Sequence, residues 1–153
     1  MGSFLQGKDL TLLMYGRAVT SAKTAIGPTG SIFLVTGGRI VLTSLTGITT
    51  TVSQSQANAI KLTATPTTGT ANDMCATYDV NAAEVGSLFS LDGVLATALQ
   101  GNVSKSGAVG GMTKYQVVGV GAITLTTAAT NTGAISWTAT YFPLDTGASL
   151  ASA

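Results

Sequence analysis

The chain has 153 residues, of which 8% are charged and 45% hydrophobic, with a net charge of +1. Such a balance leaves no basic footprint for nucleic acid and no polybasic patch for a membrane, and little repulsion to hold copies apart. No run of 18 apolar residues is present to span a bilayer, and the single cysteine, Cys75, rules out an intrachain disulfide.

Residues 1–30 have no steady hydrophobic period, and Gly7, Gly16, Gly27, Pro28 and Gly30 interrupt them. Between the breaks lie apolar anchors: Phe4, Leu5, Leu10, Leu12, Leu13, Met14 and Tyr15. This reads as an extended arm that packs on a neighbouring subunit, with a first core strand as the alternative. The expected β-rich domain spans 31–153.

Ser31 to Val35 and Arg39 to Leu45 are two strand-like runs joined by Thr36-Gly37-Gly38, the pattern of a hairpin. Thr46-Gly47 reads as a second turn before Ile48 to Ser53. Asn58 to Thr65 alternates Ile60, Leu62 and Ala64 against Lys61 and Thr63, another strand. Pro66 to Asn72 reads as a loop and Met74 to Val80 as a strand. Asn81 to Val85 could form one helical turn capped by Asn81. Ser87 to Leu91 is short and apolar, Val94 to Leu99 fits strand or helix, and the Gly- and Ser-rich residues 101–114 read as a surface loop.

The C-terminal part has the clearest pattern. In Ala134 to Phe142, Ile135, Trp137, Ala139 and Tyr141 alternate with Ser136, Thr138 and Thr140. Period-2 alternation puts the larger residues on one face and the hydroxyls on the other. Paired with Tyr115 to Thr127, this run is expected to make a half-buried antiparallel hairpin. Pro143 ends it, and residues 145–153 read as a small-residue tail. The expected fold is mainly β: an antiparallel sandwich or barrel of short strands, with an extended N-terminal arm and little helix. The 26 threonines suit strands whose wet face is hydroxylated rather than ionic.

Catalytic chemistry is poorly provided for. There is no histidine, which removes the usual general base, histidine triads and histidine-based zinc sites. Asp73, Asp79, Glu84 and Asp92 fall close in sequence, but their spacing fits no calcium loop, and they read as caps and turns rather than a glycosidase pair. Gly119-Val120-Gly121 lacks the third glycine and following helix of a dinucleotide site. Ser104-Lys105-Ser106 invites a Ser–Lys dyad but sits in the glycine-rich loop, where nothing fixes its geometry. Asn102-Val103-Ser104 is a glycosylation sequon only if the protein is secreted. Cys75, in an apolar stretch, reads as a buried, inert thiol. Trp137, Tyr141 and Phe142 could form a carbohydrate or peptide platform, but the apolar face that Trp137 and Tyr141 share favours the core. Phe142 points the other way, as an interface candidate. No catalytic residue, metal or cofactor is expected.

The residues Gly133-Ala134-Ile135-Ser136-Trp137 and Tyr141-Phe142-Pro143-Leu144-Asp145-Thr146-Gly147-Ala148 resemble the C-terminal ending of small structural proteins of tailed bacteriophages. In character the chain is most similar to head decoration, or cement, proteins. The resemblance implies a non-enzymatic virion protein, made in the host cytoplasm, that binds the outer capsid surface. Its implied partners are copies of itself, as a homotrimer, and a major capsid protein, with no nucleic acid or membrane. Interface candidates are Phe4, Leu5, Leu10, Leu12, Leu13, Tyr15 and Phe142. The alternatives are a tail-tube, neck or fibre subunit, and, from another class, a secreted adhesin or carbohydrate-binding module.

Overall fold

Alternating side chains give each strand one greasy face, and two sheets bury those faces against each other. In the computed structural model, which describes residues 6–101, 103 and 107–153, the chain is an antiparallel β-sandwich rather than a closed barrel. The strands are β1 (Arg17–Thr20), β2 (Gly30–Thr36), β3 (Ile40–Thr51), β4 (Ala59–Pro66), β5 (Asn72–Asp73), β6 (Tyr78–Asp79), β7 (Leu88–Ser90), β8 (Gln100–Gly101), β9 (Gln116–Val118), β10 (Gly121–Thr127), β11 (Ala134–Pro143) and β12 (Ser149–Ser152). The first sheet runs β1-β11-β3-β7-β8, with β9 also on β3; the second runs β12-β2-β10-β4-β5, with β6 also on β4.

The long β3–β11 ladder is the spine of the first sheet. Along β11, Ile135, Trp137, Ala139 and Tyr141 are buried, as the alternation requires. The expected turn at Thr46-Gly47 does not exist, because β3 runs straight through it. Gly47 lies opposite Trp137 in the ladder. A β-carbon added there would come within 2.8 Å of Ile135 Cγ2 and 2.9 Å of the Trp137 ring. This strand glycine is the space the indole occupies. A bulge at Thr43–Ser44 shifts the buried phase of β3 from Ile40 and Leu42 to Leu45, Gly47 and Thr49. Both bulge hydroxyls then face outward and bond the Thr140 hydroxyl, at 2.7 and 2.6 Å.

Both expected hairpins are corrected. β2 lies in the second sheet and β3 in the first; β10 lies in the second and β11 in the first. The runs alternate as expected and share one core, with Ile32, Phe33 and Ile123 facing Leu42, Leu45 and Trp137 across it. The connections cross the sandwich instead of folding back within a sheet. At the first crossing Gly37 and Gly38 have φ of 74° and 149°, which other residues rarely adopt. Tyr115 to Thr127 also divides, β9 joining the first sheet and β10 the second.

The expected N-terminal arm over 1–30 is corrected for most of its length. Gly7–Tyr15 is a helix, α1, and residues 17–30 belong to the sandwich. β1 pairs with β11, Ala25 bridges to Ala134, and Ile26 is fully buried. Ile26 and half-buried Val19 close the edge of the core, which holds this segment down. Four smaller expectations also change. Met74 to Val80 is not one strand: β5 ends before it at Asp73, a bend follows at Met74 and Cys75, and within the run only β6 is a strand. Asn81 starts a turn rather than a helix, Asp79 Oδ1 accepting its N–H at 3.1 Å. The tail over 145–153 contains β12, an edge strand on β2. Val94 to Leu99 is neither strand nor helix.

Candidate interaction surface

Helix α1 begins where Gln6 N–H donates to Asp9 Oδ2 at 3.3 Å, an N-terminal box. It ends at Gly16, whose φ of 78° turns the chain into β1. A side chain at Gly16 would strike the Tyr141 carbonyl, and Thr43 Oγ1 donates to Tyr15 O at 3.5 Å. The helix is thereby anchored at one end, against the first sheet.

Its body is not packed. Leu10 is 47% exposed, Leu12 39%, Leu13 61%, Met14 69% and Tyr15 63%. At 100° per residue, Leu10, Leu13 and Met14 share one side, and Leu12 and Tyr15 the other. A helix apolar all round is normally buried, and nine residues alone in water form a marginal helix. Of the expected interface residues, Leu10, Leu12, Leu13 and Tyr15 come together here. Phe142 is half-buried on the outer side of β11, and Phe4 and Leu5 lie outside the described residues.

The outer faces of both sheets are clad in hydroxyls. Thr20 meets Thr138 at 3.1 Å, Thr63 meets Thr126 at 3.1 Å, and Thr65 meets Thr124 at 3.3 Å. These hydroxyls pair across the strands, and Thr63 Oγ1 also donates to Asp73 Oδ1 at 3.1 Å. Among the described residues two ion pairs occur, Arg39–Asp145 at 2.8 Å and Lys61–Asp73 at 2.6 Å. The Arg39 guanidinium and N–H hold the Asp145 carboxyl down at about 2. The Lys61 ammonium, bonding Asp73, lowers that carboxyl too.

Of the four carboxylates weighed for chemistry, three have structural partners, and Glu84 is exposed. Asp73 belongs to the Lys61 pair, and Asp79 Oδ1 accepts Asn58 N–H at 2.8 Å. Asp92 is buried and accepts Gln100 Nε2 at 2.8 Å. Among the described residues no cluster of three or more His, Cys, Asp or Glu is placed to hold a metal ion. Cys75 is buried, its Sγ accepting Leu62 N–H at 3.4 Å, and burial pushes the thiol up. Trp137 is fully buried beside Phe89, with ring centroids 6.4 Å apart, so it forms no surface platform. Gly119 and Val120 link β9 to β10, and Gly121 is the first residue of β10. Asn102, Ser104, Lys105 and Ser106 lie outside the described residues.

A groove of about 310 Å³ opens beside β9, lined by Met74, Leu95, Tyr115, Gln116 and Val117 among others, with Tyr115 its one titratable side chain. The exposed Leu95, Tyr115 and Val117 were not among the expected interface residues. Their signal was weak: in β9 it is Gln116 and Val118 that turn inward and Val117 that faces out. No protein-family model matches the chain, and neither a curated protein nor a solved structure is detectably similar to it.

Proposed function

We propose that this chain is a non-enzymatic structural protein of a tailed-bacteriophage particle, a head decoration protein that braces the outer surface of the shell. The observation that carries this reading is α1: five large apolar side chains on a nine-residue helix, all exposed. Covering them releases about 25 cal/mol for each Å² of apolar surface taken from water. A surface with few ions and many paired hydroxyls adds little desolvation cost to close contact. The C-terminal residues 133–148, with their resemblance to phage structural proteins, direct the reading to a virion.

In this role α1 lies on a major capsid protein subunit or on a neighbouring copy, and the sandwich stands outward. Three copies about a local threefold axis give a homotrimer. Each contact is modest, and repetition over a symmetric shell supplies avidity. The test is electron cryomicroscopy of particles that contain the chain. The reading expects sandwich density on the outer head surface with α1 buried against another subunit. Density in the tail, or α1 in open solvent on the assembled particle, contradicts it.

A further inference from the structure

Two connections cross between the sheets at one end of the sandwich. Residues 52–58 lead from β3 in the first sheet to β4 in the second, and residues 128–133 lead from β10 in the second back to β11 in the first. Each sends one asparagine against the other. Asn58 Oδ1 accepts Ala129 N–H at 3.0 Å. Asn131 Oδ1 accepts Gln54 N–H at 3.0 Å and Gly133 N–H at 2.9 Å. The seam between the connections is tight at Gly133, where an added β-carbon would lie 2.7 Å from Ser53 Cα and 2.8 Å from Ile26 Cδ1. Both asparagines are shut away from solvent, Asn58 at 0% exposure and Asn131 at 4%.

The backbone donors fix which way each amide faces. A flipped amide would set N–H against N–H, so the oxygens belong where they are and the nitrogens are the free groups. Neither Asn58 Nδ2 nor Asn131 Nδ2 has an acceptor among the described residues. Each nitrogen shares its carbon with an oxygen that reaches across the seam, so both NH2 groups lie in the seam. Buried polar groups seldom go unbonded, and internal water is the usual partner where the protein supplies none.

From this we infer that the seam holds an internal water whose oxygen accepts from both Asn58 Nδ2 and Asn131 Nδ2. The free groups are donors, so they call for an acceptor, whereas a metal ion would need oxygens. An anion would stand near Asp79, whose Oδ1 accepts Asn58 N–H at 2.8 Å, and the two charges would repel. A neutral water avoids both objections. Two amide donors meet the minimum of about two polar partners that such a water needs. The water joins the two crossings from within, and so pins the two sheets together at this end. The site is separate from α1 and does not depend on the proposed function.

The test needs no variant. In nuclear magnetic resonance of the nitrogen-15-labelled wild-type chain, the side-chain amide signals are assigned through bonds and examined for Overhauser contacts to water. The NH2 groups of Asn58 and Asn131 should both show contacts that reverse sign between the laboratory and rotating frames, the mark of a water held by the protein. Hydrogen exchange with the solvent gives no such reversal, and exposed Gln56 serves as the control. A crystal structure should place one water within about 3.2 Å of both nitrogens. The absence of sign-reversing contacts at either asparagine overturns the inference. So does a crystal structure in which either nitrogen bonds a protein carbonyl, or in which the two nitrogens hold separate waters.

Discussion

Replacing Gly47 with alanine should destabilise the protein, although alanine is the better strand residue. The new methyl would lie 2.8 Å from Ile135 Cγ2 and 2.9 Å from Trp137 Cε3 and Cζ3. Carbon atoms at rest are about 3.5–4.0 Å apart, so the neighbours must retreat by roughly 0.6–1.2 Å. They cannot do so freely. Trp137 and Ile135 are fully buried, and Phe89 backs the indole. Overpacking of this kind costs about 1–3 kcal/mol. Losing glycine's extra unfolded-state freedom offsets about 0.4–1 kcal/mol. The net loss is then about 1–2 kcal/mol. Urea unfolding at one fixed protein concentration measures it, since association shifts apparent stability. The decisive comparison is a cycle with Trp137→Phe, whose smaller ring leaves room for the methyl. On that background the Ile135 Cγ2 contact remains but the ring contacts are relieved, so Gly47→Ala should cost less than in the wild type, a coupling of about 0.5–1 kcal/mol. A neutral Gly47→Ala, or strictly additive effects, refutes the claim that the indole fills the glycine's place.

Other outcomes follow from the same contacts. Asp145, held near 2 by Arg39, ionises in the unfolded chain at about 3.9. A lowered folded value stabilises above the unfolded one, so stability should hold above pH 4 and fall towards pH 2. Asp145→Asn should flatten that decline in an acid titration of the melting temperature. Thr140→Val removes the hydroxyl that joins Thr43 and Ser44, and should cost about 1 kcal/mol in urea unfolding. Cys75, buried and with its thiol pushed up, should react with a thiol reagent at least ~100-fold more slowly in the native protein than in urea. Equal rates would mean that the second sheet opens readily.

The facing of strands was readable in the sequence, and their pairing was not. Period-2 alternation in 134–142 identified Ile135, Trp137, Ala139 and Tyr141 as inward, and burial agrees. Alternation tells which side of a strand meets the core but not from which sheet. Two runs joined by a short glycine turn satisfy it equally as a hairpin or as a crossing between sheets. The three-residue step from Leu42 to Leu45 was a trace of the Thr43–Ser44 bulge, hidden inside one apolar run. Gly47 read as a turn because what it makes room for, Trp137, is 90 residues away in sequence. Helix α1 has apolar residues on both sides, so no 3.6-residue period announced it. The same excess of apolar anchors did mark Leu10, Leu12, Leu13 and Tyr15 as interface candidates, and they are exposed together.

The proposed role depends on α1 being a contact that only another subunit completes. Sedimentation velocity of the wild-type chain beside a Leu13→Asp/Met14→Asp variant, across a wide range of concentrations, addresses that dependence directly. The expected result is a wild type that moves to larger species as concentration rises, while the variant stays monomeric with an unchanged melting temperature at low concentration. A variant that associates just as strongly as the wild type would contradict it, as would a wild type that is monomeric alone and leaves α1 in open solvent on the assembled particle.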